Sequence, residues 1–154
     1  LATFRQRKIV EDYIYSATDN GGKILTGGSR PEGLENGAFF EPTILGDIDP
    51  RSKIFQEEVF GPVLIILPFK EEEELISLAN NSVYGLACGI WTNDMKKAWR
   101  VAKSIQAGTV WINTYKLLSI ANPFGGTKES GLGREKGREG LGLYQEQKTV
   151  AFSI

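Results

Sequence analysis

Residues 63–112 constrain the fold more than any other part of the chain. An apolar, β-prone run at 63–69 is followed by a helical pattern at 71–80, a second apolar run at 86–91, a second helical pattern at 94–106 and a third apolar run at 109–112. The links between them are short. Strand–helix–strand–helix–strand on short links implies right-handed crossovers, which lay strands side by side in parallel. Parallel strands covered on both faces read as continuous apolar runs. The runs at 63–69 and 86–91 are therefore expected to be buried strands of one parallel sheet. The helix at 71–80 opens on Glu71, Glu72, Glu73 and Glu74, which suit the positive end of its dipole. In the helix at 94–106, Ala98, Val101, Ala102 and Ile105 share a face. The expected class is α/β.

The flanks are less regular. Val10, Tyr13, Ile14 and Ala17 recur at helical spacing within 3–19, and Gly21-Gly22 supplies a stop. Residues 23–26 make a short strand. Pro31, Gly33, Asn36 and Gly37 mark a loop, and 39–45 reads as extended around Pro42. After Asn113 comes a long loop, 114–133, rich in Gly, Ser and Asn. Loops of that length inside compact domains are usually functional or disordered. Residues 134–145 read as a helix despite Gly137, Gly140 and Gly142, and 148–154 as a β-prone, alternating end.

Composition removes several function classes. The net charge is −1, with basic and acidic residues interleaved, so no footprint for nucleic acid is present. No apolar run approaches the roughly 20 residues needed to span a bilayer. Cys88 is the one cysteine and histidine is absent, which rules out an intrachain disulfide and leaves no credible zinc site. A reducing, cytoplasmic setting fits that usage. The chain starts at Leu1 and its one methionine is Met95, so the expectation is a piece of a longer protein.

Two segments carry candidate chemistry. Glu57-Glu58-Val59-Phe60-Gly61-Pro62-Val63 sets a carboxylate, an aromatic ring and a Gly-Pro turn at the approach to a strand. A carboxylate accepts two hydrogen bonds from a ribose diol, and an aromatic packs beside a flat ring. The plainer alternative is a solvated acidic turn with Phe60 in the core. The second segment runs from Asn122-Pro123-Phe124-Gly125-Gly126 to Gly131-Leu132-Gly133-Arg134-Glu135. Its glycines give G-x-G-x-x-x-G after a loop, which is neither the dinucleotide fingerprint nor a Walker pattern. A tightly folded loop beside a cavity and a simple connector both fit. The acidic run at Glu71 to Glu74 lacks the ligand spacing of a calcium loop.

Taken in series, these pieces resemble the aldehyde dehydrogenase superfamily. Glu57 to Val63, then Tyr84-Gly85-Leu86-Ala87, Ala107-Gly108-Thr109-Val110-Trp111-Ile112-Asn113, Pro123 to Glu135, Tyr144 and Lys148-Thr149-Val150 follow the order and spacing of its C-terminal motifs. Gly27-Gly28 and Glu41-Pro42-Thr43 match ahead of them. The resemblance implies part of a three-layer, parallel-sheet catalytic domain over 1–147, with an oligomerisation strand at 148–154. It implies an aldehyde substrate, NAD or NADP as cofactor, and a homo-oligomer. It places Glu58 on the nicotinamide-side ribose and Phe60 by the nicotinamide. Phe124 falls at the aldehyde pocket, and Leu117 and Leu118 on the substrate tunnel.

The same resemblance implies a catalytic set that this chain lacks. The family uses a cysteine nucleophile, a glutamate base and an oxyanion-binding asparagine, all expected ahead of Leu1. Cys88 is a poor replacement: it sits in an apolar run with no adjacent base, where a thiol acts as a small hydrophobe. The chain alone is therefore expected to be inactive, with no catalytic residue of its own. A non-catalytic assembly or binding module built on the same fold is the competing reading.

Overall fold

Thr3 starts the first helix. Its Oγ1 accepts the Gln6 N–H at 3.0 Å, one of the donors a helix N-terminus leaves unpaired. The helix α1, Phe4–Asp19, buries Val10, Ile14 and Ala17 on the face that their spacing defines. It ends where Gly21 takes a φ of 93° and the Gly22 N–H returns to the Ala17 carbonyl. A computed structural model describes residues 1–154, and the chain divides into two compact units, Leu1–Glu71 and Glu72–Ile154.

In the first unit α1 packs on a three-stranded sheet. The strands are β1 (Lys23–Thr26), β2 (Thr43–Gly46) and β3 (Val63–Ile65), in that order. β1 runs antiparallel to β2, and β3 runs parallel to it, with Thr43 opposite Val63. A short helix, α2 (Lys53–Gln56), brings Ile54 into the core formed by Val10, Ile14, Ala17, Leu45 and Ile48. Leu45 is fully enclosed, so its truncation to alanine would cost about 2–5 kcal/mol.

The run at 63–69 differs from expectation in three ways. Its strand is three residues long. It pairs with β2 rather than with the later runs. It is also not buried on both faces: Val63, Ile65 and Leu67 pack on the core, while Leu64 and Ile66 are 58% and 48% exposed. The cause is the period of two in a strand that has one neighbour and one covered face. Pro68, which cannot donate to a ladder, lies beyond its end.

The second unit is built on one βαβ element. β5 (Ala87–Ile90) and β6 (Thr109–Ile112) pair in parallel, with Ala87 opposite Thr109 and Ile90 opposite Ile112. Between them runs α4 (Met95–Ser104), capped by Asp94, whose carboxylate accepts the Lys97 N–H at 3.0 Å. Ala98 and Val101 carry its buried face. The helix before it, α3 (Glu72–Asn80), is tied to α4 at both ends. Arg100 grips Glu72 with two bonds of 2.5 and 2.6 Å, and Asn80 donates to the Ser104 carbonyl and accepts the Gln106 N–H. The expected burial of 86–91 is not observed: Leu86 and Trp91 are 45% and 64% exposed. Trp91 lies past the end of β5, and Leu86 precedes it.

Part of the long loop is ordered by pairing. β7 (Thr127–Lys128) runs antiparallel to β4 (Tyr84–Gly85), and Lys128 Nζ donates to the carbonyls of Asn80, the last residue of α3, and of Ser82 just past it. Gly108 lets the loop pass: a Cβ there would sit 1.7 Å from the Gly125 carbonyl oxygen. The helix read at 134–145 shrinks to α5, Gly137–Gly142, because its glycines leave few side chains to hold a longer one. Residues 148–154 form no strand within this chain and are exposed. No helix is long and apolar enough to cross a membrane.

Candidate functional site

The Glu57–Val63 segment is held by α1. Phe60 has a φ of 52°, a left-handed conformation that costs a bulky residue roughly 1–2 kcal/mol. Its ring is not in the core; it is 73% exposed. The plainer reading of Phe60 as a core residue is thereby excluded. Gln6 stabilises the turn, its Nε2 donating to the carbonyls of Val59 at 3.1 Å and Phe60 at 3.2 Å. One helical turn later Val10 supports the next residue, since a Cβ on Gly61 would meet its Cγ2 at 2.5 Å.

The two neighbouring carboxylates are treated differently. Glu57 accepts the Tyr13 hydroxyl at 2.6 Å and lies 3.7 Å from Lys53 Nζ. Glu58 is exposed and makes no ion pair within the chain. An open carboxylate thus stands two residues from an open aromatic ring on a turn braced by Gln6 and Val10 of α1.

The other three candidates meet in the second unit. Leu117, Leu118 and Phe124 line one cavity of about 430 Å³ with Thr109, Val110 and Trp111 from β6, and with Ser119, Asn122 and Pro123. Trp111 organises this wall. Its Nε1 donates to the Leu117 carbonyl at 2.8 Å, and its ring meets Tyr115 edge-on at 5.2 Å between centroids. Phe124 is fixed through its backbone, which exchanges bonds of 2.8 and 2.7 Å with Glu135. Arg134 then locks the glycine loop, its Nη1 donating to the carbonyls of Gly126 and Gly133, both at 2.7 Å.

Thr109 and Trp111 were missed as cavity residues. Their signal was available: residues two apart on a strand share a face, and β6 leads straight into the loop that carries Leu117. Cys88 is half-buried, and burial pushes its thiol pKa up, away from the thiolate that nucleophilic attack requires. No three His, Cys, Asp or Glu side chains converge as metal ligands.

Comparison with known proteins agrees over the whole chain. The sequence profile described as Aldehyde dehydrogenase family matches residues 1–150. A putative aldehyde dehydrogenase of Bacillus subtilis, DhaS, is 45% identical over all of this chain and 31% of its own length. The mitochondrial aldehyde dehydrogenase of Sus scrofa is 46% identical over 97% of this chain and 28% of its own. Among solved structures, Mycobacterium tuberculosis aldehyde dehydrogenase complexed with NAD+ matches all of this chain and 32% of its own, with a TM-score of 0.91 and 44% identity. A Staphylococcus aureus betaine aldehyde dehydrogenase in complex with NAD+ gives a TM-score of 0.89 and 44% identity, covering 94% of this chain and 29% of its own. The chain thus spans about three-tenths of the length of these relatives.

Proposed function

Because the chain belongs to the aldehyde dehydrogenase family, we propose that it is the C-terminal part of the catalytic domain of an enzyme that oxidises an aldehyde to a carboxylic acid with NAD or NADP. The observation that carries this reading is Phe60, exposed and held left-handed two residues from the open carboxylate of Glu58. Backbone strain of this kind persists where the surroundings impose it and concentrates at functional sites. The pair fits a nicotinamide nucleoside. Glu58 accepts hydrogen bonds from the ribose diol, and Phe60 lies along the nicotinamide ring. When bound, the cofactor accepts the hydride that leaves the aldehyde carbon.

The cavity of the second unit forms one wall of the aldehyde site. Leu117, Leu118, Phe124 and Trp111 give that wall an apolar lining, which orients a substrate chain by exclusion of water rather than by charge. The residues present lack an activated nucleophile, since Cys88 is half-buried with its thiol pKa raised by burial, and the chain has no histidine to activate it. The nucleophile and base are supplied from outside residues 1–154. The enzyme is a homo-oligomer, and residues 148–154 supply an edge for subunit pairing.

The chain is to be incubated with NAD+ or NADP+ and a panel of aldehydes, with reduced cofactor followed by absorbance. No turnover is expected from residues 1–154 alone. Turnover that disappears in Cys88→Ser would overturn the proposal.

A further inference from the structure

We infer that Arg134 is a positioning residue for the aldehyde, acting through Phe124. This rests on the reading of the Trp111–Phe124 cavity as the aldehyde site. Arg134 does not line that cavity. It precedes Glu135, whose backbone engages both the N–H and the carbonyl of Phe124. The position of Phe124 is therefore tied to that of residues 133–135.

Local sequence does little to fix that stretch. Gly131 and Gly133 take φ of 146° and 75°, and the stretch lies against Gly125 and Gly126. The glycines permit a close approach: a Cβ on Gly125 would lie 2.9 Å from the Gly133 carbonyl oxygen. The same lack of side chains leaves the two stretches free to part. Arg134 supplies the tie. A single terminal nitrogen, Nη1, donates to the Gly126 carbonyl on the outgoing stretch and to the Gly133 carbonyl on the returning one, both at 2.7 Å. Bonds from a charged donor are the stronger kind, and a guanidinium keeps its charge at every working pH.

The tip of the loop is anchored by other groups. Thr127 and Lys128 pair with Gly85 and Tyr84, and Ser130 Oγ accepts the Gly85 N–H at 2.9 Å. Loss of the Arg134 side chain therefore frees the Phe124 end of the loop and leaves its tip in place. The ring then loses its fixed position against an apolar substrate chain, and a displacement of about 1 Å is enough to weaken a fitted contact.

The test is a double-mutant cycle in the active enzyme that contains this chain, with hexanal as the aldehyde. Arg134→Met keeps an unbranched stem and removes both bonds. It should raise the KM for hexanal about tenfold and leave kcat and the cofactor KM within about twofold, the pattern of an interaction made equally in ground and transition states. Arg134→Lys keeps a charged donor of shorter reach and should raise the hexanal KM by only about threefold. It is read in the same cycle if the methionine variant fails to fold. In a Phe124→Ala background either change should alter the hexanal KM by less than about twofold, because the ring to be positioned is gone. If Phe124→Ala alone leaves the hexanal KM unchanged, the cavity is not the aldehyde site and the inference falls with that reading. If Phe124→Ala raises it while the Arg134 variants do not, or if the two effects are independent, the positioning role alone is overturned. A loss of kcat and of cofactor binding that accompanies the rise for hexanal also overturns it, since a general loosening of the fold gives that pattern.

Discussion

Gln6 holds Phe60 in its left-handed conformation: the amide of a helix side chain donates at 3.2 Å to the carbonyl of a residue 54 positions later. The same amide also holds Val59. Each such bond contributes about 1 kcal/mol, enough together to offset the backbone strain. Phe60→Gly removes the strain and loses little packing, because the ring is exposed. After allowing for the extra freedom of glycine in the unfolded chain, it should stabilise the protein by about 0.5–1 kcal/mol. Gln6→Ala should destabilise it by a similar amount. Urea titrations of the two variants against the parent check this. A destabilised Phe60→Gly would show that the turn is not strained.

Glu58 is expected to act on the cofactor and not on the fold. Its carboxylate is exposed and unpaired, so Glu58→Gln should leave the unfolding midpoint within error. In the active enzyme the same change should weaken cofactor positioning by about tenfold to a hundredfold, the range for a hydrogen bond to a charged group. The neighbouring Glu57→Gln gives the opposite pattern, because Glu57 is engaged by Tyr13 and Lys53. Cofactor KM and kcat for the two variants decide. Unchanged values in Glu58→Gln would remove Glu58 from the site.

The sequence showed local structure better than it showed partnership. The extents of α1, β1 and β6 follow from apolar spacing and glycine stops, all of which lie within a few residues of the elements they define. Which strand β3 pairs with does not. Val63 to Ile65 carries a strand pattern equally suited to a later parallel neighbour, and only the fold sets it against β2. Burial was over-read for the same reason. Leu64, Leu86 and Trp91 are apolar yet exposed, and apolarity alone cannot say whether a residue is covered within this chain. Leu117, Leu118 and Phe124, singled out through motif resemblance, come together in one cavity. The bonds of Arg134 to Gly126 and Gly133 carried no such signal, because they depend on how a glycine-rich loop folds back on itself.

Gly108 should be intolerant of any side chain. A methyl group there meets the Gly125 carbonyl at 1.7 Å, and the obstacle is backbone, which cannot rotate away. Gly108→Ala should cost about 2 kcal/mol or more and loosen the loop that carries Phe124. Gly142→Ala is the control. A Cβ at Gly142 meets nothing within 4 Å, so the change should be neutral or stabilising by about 0.4–1 kcal/mol. Thermal unfolding of both variants separates a packing requirement from a general effect of removing glycine.

The exposed apolar surface leads to the last expectation. In the first unit Leu64 and Ile66 face solvent at 58% and 48%, from a segment whose other face is partly buried against the core. At the chain end Val150 and Phe152 are 79% and 84% exposed, and the alternation over 148–154 puts Val150, Phe152 and Ile154 on one side of any strand they form. An unpaired apolar edge is a template for another copy, and apolar patches of this kind promote association. The chain should therefore self-associate. Phe152→Lys should weaken association by placing a charge on the pairing edge, whereas a lysine at Leu64 should act only if the sheet face contributes as well. Sedimentation equilibrium over a concentration series reads both. A single monomeric mass for the parent chain up to high concentration would remove the C-terminal edge as an oligomerisation element.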